Sequence, residues 1–140
     1  MNTITLQNIY TSLSNAVPDP AVGISLAHLM GDENFSYYVT QIPPQSQLTA
    51  HFHQHGNELY QVIEGKGVIW ITDAKTKNLA HQNTRYDIGT GDTFLVPEMT
   101  IHQLSNPGPK PLIMMFGCPQ SHITSDRQLT ENFNHFEGEK

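Results

Sequence analysis

The chain has 140 residues, 37% apolar and only 14% charged, with 13 acidic against 7 basic side chains. This length suits one domain around one hydrophobic core, and the charge content is too low for a solvated disordered chain or a coiled coil. With no Lys/Arg cluster a nucleic-acid partner is not expected, and no apolar run approaches the ~20 residues of a membrane span. The start, Met1-Asn2-Thr3-Ile4, lacks a secretory signal's basic and apolar regions. Cys118, the single cysteine, cannot close an internal disulfide. A reducing cytoplasm is therefore the expected compartment.

Residues 3–14 place Leu6, Ile9, Tyr10 and Leu13 at helical spacing, with Thr3 or Thr5 as a possible cap. Val17-Pro18-Asp19-Pro20 ends that segment, because two prolines cannot continue a helix. From residue 22 onward short β-branched and aromatic runs alternate with turn residues, the pattern of an all-β sandwich or barrel. Strands are expected over 23–30, 36–42, 49–53, 58–64, 67–72, 84–88, 92–97, 101–105 and 112–117. Gly65-Lys66-Gly67 reads as a tight hairpin turn, and Asp73 to Asn83 as a longer hairpin loop. Thr90-Gly91-Asp92 and Asn106-Pro107-Gly108-Pro109 read as further turns. Beyond Cys118-Pro119, Ser125 with Gln128 resembles a capping box and suggests a short helix over 126–134.

The outlier is histidine. There are eight, three of them at positions 51, 53 and 55. Side chains two apart on a strand point to one face, so His51 and His53 present two imidazoles together. Glu58 opens the next strand, and the turn His55-Gly56-Asn57 can fold it back towards them. His102 lies on a distant strand. Three imidazoles and one carboxylate form a mixed N/O set suited to a divalent Fe, Mn, Ni, Cu or Zn ion. His53 and His55 also share a face, which leaves a second register open for the pair. A lone barrel histidine is more often a hydrogen-bonded core or rim residue than a ligand, so the weight rests on the group. Tyr60 and Val62 share the face of Glu58; Tyr60 is either barrel core or a proton handler. Trp70, Phe94, Met114 and Phe116 could wall a pocket, but an apolar barrel interior needs such residues anyway, and core is the expected place for each. Tyr38, Gln47 and Gln103 are strand or near-strand positions of undecided orientation. His28, His81, His122 and His135 are expected at the surface.

Two motifs here resemble those of the cupin superfamily. The first reads His51-Phe52-His53, four residues, Glu58, six residues, Gly65. The second reads Gly91, five residues, Pro97-Glu98-Met99, two residues, His102, three residues, Asn106. In two places this chain departs from the pattern: Gln45 and Met99 stand where the superfamily has turn glycines. The resemblance spans about residues 36–117 and implies an antiparallel double-stranded β-helix of jelly-roll type. The expected layout is one domain, with a barrel over about 22–118, an arm over 1–21 and a tail over 119–140. The resemblance makes His51, His53, Glu58 and His102 the metal ligands and favours His51 over the register that uses His55. His55 then becomes a turn residue or proton carrier. Four protein ligands around an octahedral ion leave two positions for a small-molecule substrate, or for substrate and dioxygen. The implied activities are oxygenation of enediols or diketones, sugar isomerisation or epimerisation, decarboxylation, or ligand capture without turnover, and the resemblance suggests a homodimer.

Overall fold

In the computed structural model, residues 2–76 and 83–133 are described. Twelve strands form among them. They are β1 (Val17–Asp19), β2 (Ile24–Gly31), β3 (Ser36–Ile42), β4 (Ser46–Gln47), β5 (His51–Phe52), β6 (Glu58–Glu64), β7 (Lys66–Asp73), β8 (Thr84–Gly89), β9 (Thr93–Val96), β10 (Thr100–Asn106), β11 (Leu112–Cys118) and β12 (Gln128–Leu129). One sheet runs β1-β2-β3-β11-β6-β9 and the other β12-β5-β10-β7-β8, with β4 also on β10. Every pairing is antiparallel. The expected all-β double-stranded helix is therefore the fold. Among the described residues no helix is long and apolar enough to cross a membrane.

Strand alternation builds the core. On β6, Glu58, Tyr60 and Val62 are buried while Leu59 and Gln61 are exposed, so the period of two points one set into the space between the sheets. Tyr38, Ile42, Tyr60, Val62, Met114 and Phe116 from one sheet meet Ile69, Ile88 and Leu104 from the other. A second apolar cluster lies on the outer side of the first sheet, where Leu29, Val39 and Ile113 are covered by Ile9 and Leu13. Trp70 lies outside the barrel. It packs near Phe133 on the outer face of the second sheet, with the Arg85 guanidinium 5.7 Å from its ring centroid.

Several expectations change in the folded chain. The N-terminal helix, α1, covers only Ile9–Leu13. Its cap is Asn8, whose carboxamide accepts from the Tyr10 and Thr11 amides at 3.0 and 3.2 Å; this stops the helix short of Thr3 and Thr5. Gly65 does make a tight turn, with φ of +104°, and a Cβ there would lie 2.6 Å from the Pro111 carbonyl oxygen. That turn closes no hairpin, because β6 and β7 belong to different sheets. No helix forms over 126–133. Gln128 and Leu129 instead pair with Phe52 and His51 as an added edge strand, and the Asp126 carboxylate is drawn to backbone amides elsewhere. Residues 81, 134 and 135 lie outside the described set.

Candidate metal centre

His51 and His102 are direct partners across β5 and β10, so their side chains share the inner face. Their ring centroids are 4.4 Å apart. Each is anchored by its own strand: His51 Nδ1 donates to the Thr49 carbonyl at 2.8 Å and His102 Nδ1 to that of Thr100 at 3.0 Å. His53 is anchored from afar, its Nδ1 donating to the Asp126 carbonyl at 2.7 Å. A backbone carbonyl can only accept, so all three imidazoles carry a proton on Nδ1 and direct Nε2 to the barrel interior. Glu58 enters from the other sheet, not from a hairpin with β5. Its Oε2 stands 3.0 Å from His53 Nε2 and its Oε1 3.5 Å from His102 Nε2.

These residues fit a cation. His53 Nε2 and His102 Nε2 are buried without a hydrogen-bond partner, yet both face the Glu58 carboxylate. Lone pairs facing a carboxylate repel unless a cation or proton lies between them, and buried polar atoms are rarely left unpaired. The ligand atoms of His51, His53 and His102 all lie within 4.8 Å of one another, a group compact enough to gather around one ion. Burial, reinforced by the neighbouring His102, pushes the His51 pKa down to about 3, so this imidazole is neutral as a ligand must be. Burial alone would raise the Glu58 carboxyl, but the imidazoles of His102, His122 and His53 bring it well below the usual carboxylate range. The carboxylate is ionised.

The other candidates divide clearly. Tyr60 is core, its ring stacked 5.1 Å from Phe94, and its hydroxyl donates to Glu58 Oε1. Burial and then the Glu58 charge raise its pKa well above the phenol value. His55 is exposed in the turn, away from the cluster. Tyr38, Met114 and Phe116 are core. Gln103 turns outward, donating to the Leu48 carbonyl and accepting from the Phe133 amide, and Gln47 pairs with Ser105. Burial and Glu58 push the Cys118 thiol far up, so it is no nucleophile.

His122, expected at the surface, is 1% exposed. It follows β11 on a short 3₁₀ turn, Gln120–Ile123. Its ring stacks on His53 with centroids 3.9 Å apart and planes 3° from parallel. Nδ1 donates to Glu58 Oε2 at 2.8 Å and Nε2 to the His55 carbonyl at 2.7 Å. Both partners are pure acceptors, so both ring nitrogens carry protons. Burial opposes that charge, but the bonds to Glu58 and His55, with the charges of Glu58 and Asp126, raise the pKa. Asp126 completes this side, its carboxylate accepting from the Gln54 and His55 amides at 2.8 and 2.9 Å. No motif spacing links position 122 to position 58; only the path of the tail joins them.

A cavity of about 400 Å³ opens between β8 and β9, walled by Ile69, Ile71, Ile88, Phe94 and Val96, with Asp92 among its polar residues. Ile71 is the strand partner of His102 and Val96 that of Glu58. Directly opposed residues share a face, so the cavity abuts the cluster, although the histidines do not line it.

Residues 38–118 match the Cupin domain family. The chain is a cupin. It is 28% identical over 90 residues to the uncharacterized protein MJ1618 of Methanocaldococcus jannaschii, covering 64% of each chain. Similar solved structures include a Klebsiella pneumoniae protein with a double-stranded β-helix domain (TM-score 0.66, 16% identity, 93% of this chain and 100% of that one). The capsular polysaccharide assembling protein CapF of Staphylococcus aureus is another (TM-score 0.69, 17% identity, 84% of this chain and 34% of that one). Bacillus subtilis oxalate decarboxylase, described with Mn(II) centres, is a third (TM-score 0.61, 15% identity, 81% of this chain and 29% of that one). At such identities the structural likeness is one of fold. This cupin spans only about a third of the last two chains.

Proposed function

We propose that this cupin binds one divalent transition metal through His51, His53, Glu58 and His102 and acts on a small oxygen-rich organic molecule, with a dioxygenase-type reaction as the first choice. The observation that carries the reading is the pair of buried, unpartnered Nε2 atoms of His53 and His102 facing the Glu58 carboxylate. An ion bound there supplies Lewis acidity or redox chemistry to a chelating substrate. The chain's own residues do the rest. Thr49, Thr100 and Asp126 hold the three imidazoles in one tautomer through their carbonyls. Tyr60 and His122 each place a proton on one oxygen of Glu58. Phe94, Ile71 and Val96 form an apolar wall of the adjacent cavity, which suits a substrate with a hydrocarbon or aryl portion beside its chelating oxygens.

One observation favours a second reading, capture of a ligand without turnover. The two candidate proton carriers are badly placed for that work: Tyr60 gives its hydroxyl to Glu58, and the His55 side chain lies at the surface.

Elemental analysis of gently purified protein, followed by anaerobic loading with Fe(II), Mn(II) and Zn(II), tests the metal. Oxygen uptake is then followed with a panel of diketones, enediols and catechols. Uptake by the iron-loaded protein, absent in His53→Ala, is the expected result. A metal-loaded protein that binds a panel member and returns it unchanged favours the second reading. Protein that neither carries nor takes up metal would falsify both.

A further inference from the structure

We infer that His122 is a positioning residue of the metal centre, fixing the carboxylate of Glu58 in the orientation it presents to His53 and His102; this rests on the metal reading above. A glutamate side chain has several rotatable bonds, and a carboxylate ligand is useful only when its plane is held. Glu58 Oε1 accepts from the Tyr60 hydroxyl and Oε2 from His122 Nδ1. Tyr60 lies on the same strand two residues away. The donor to Oε2 comes from the tail.

His122 is itself held. Its Nε2 donates to the His55 carbonyl, its ring lies flat on His53, and the residue is 1% exposed. Gly56 leaves room for this packing: a Cβ there would stand 3.0 Å from Pro119 Cγ and 3.4 Å from His122 Nε2. His53, Glu58 and His122 lie close enough to form a ligand group of their own. Both nitrogens of His122 are already engaged, however, Nδ1 by Glu58 at 2.8 Å and Nε2 by the His55 carbonyl at 2.7 Å, so it acts through Glu58. A tail residue outside both sequence motifs thereby becomes part of the centre.

Asparagine and glutamine separate this role from a purely structural one. The Asn nitrogen falls near the place of Nδ1 and keeps the bond to Glu58, whereas the Gln nitrogen falls near Nε2 and keeps only the bond to His55. Co(II) affinity by chelator competition, the visible spectrum of the Co(II) form and thermal unfolding are measured for the wild type, H122A, H122N and H122Q. H122A and H122Q are expected to bind Co(II) about 10–100-fold more weakly, with an altered spectrum, as loss of an outer partner of a metal ligand commonly does. H122N is expected to retain most of the affinity and the wild-type spectrum. Unchanged affinity and spectrum in H122A overturn the inference, as does H122Q retaining affinity that H122N loses. If H122A does not fold, the order of the other two variants decides. Wild-type protein that takes up no Co(II) counts instead against the metal reading itself.

Discussion

The two halves of the site are held in place by different means. His51 and His102 face each other across β5 and β10, and each bonds a carbonyl two residues back on its own chain. His53 and Glu58 depend on residues more than sixty positions away, through the Asp126 carbonyl and the His122 ring. The strand lengths explain the difference. β10 runs seven residues with pairing on both sides, and on β5 His51 is flanked by His102 and Leu129, whereas β5 ends at Phe52, before His53. Where the ladder runs past a histidine, strand pairing holds it; where it stops, another segment must supply the missing partners.

The largest effect should come from breaking the self-held half. His102→Ala removes a proposed ligand from a strand paired on both sides. Metal affinity should fall by more than the ~10–100-fold typical of an outer partner, while the thermal midpoint of the metal-free protein changes little or rises. Isothermal titration with Mn(II) or Fe(II), read beside a melting curve, checks this. A loss no greater than that of H122A would mean His102 is not a ligand.

Asp126→Ala breaks the tail-held half without touching a ligand. It removes two hydrogen bonds to the Gln54 and His55 amides and should cost about 1–3 kcal/mol of stability, with a smaller fall in metal affinity. Acid titration sharpens the point. Burial would raise the Asp126 carboxyl, but the two amides outweigh it and hold the pKa below the ordinary aspartate value. A carboxylate depressed in the folded state contributes stability that is present above its unfolded pKa and is lost as pH falls through the folded one. The wild type should therefore lose stability in acid more steeply than Asp126→Ala, as denaturant midpoints between neutral and acid pH will report. Parallel curves would remove Asp126 from this account.

All four proposed ligands were legible in the sequence, and the tail residues that hold two of them were not. Motif spacing named His51, His53, Glu58 and His102 because ligands two apart on a strand, and at fixed distances from turns, leave a one-dimensional trace. Periodicity also located nine strands, including Ser36–Ile42 and Glu58–Glu64 to the residue. It could not say which sheet a strand joins, so Gly65 looked like a hairpin turn when it carries the chain between sheets. Nor could it separate the outward Trp70 from the inward Phe116, since both sit on apolar strands with covered faces. His122 and Asp126 left no trace because their partners are set by the path of a polar tail. That tail read as a helix start at Ser125 until Gln128 and Leu129 proved to pair with β5.

The joint between the halves offers the smallest and most local test. Met99 donates its amide to the His53 carbonyl at 2.8 Å and stands just before β10. It has φ of +60°, and Gln45 has φ of +57°. These are the two positions where the superfamily pattern has glycine, so the backbone keeps the left-handed turn that the side chain disfavours. That conformation costs a non-glycine residue ~1–2 kcal/mol, and glycine returns ~0.5–1 kcal/mol of it as lost chain entropy. Met99→Gly should therefore stabilise the fold by up to about 1 kcal/mol in denaturant unfolding, leaving metal affinity unchanged. Gln45→Gly gains the same relief but gives up side-chain bonds to the Pro107 and Gly108 carbonyls, each worth ~1 kcal/mol at most in so exposed a place. It should come out near zero. A clear loss in Met99→Gly would show that the methionine's packing, and not its backbone, holds the two halves in register.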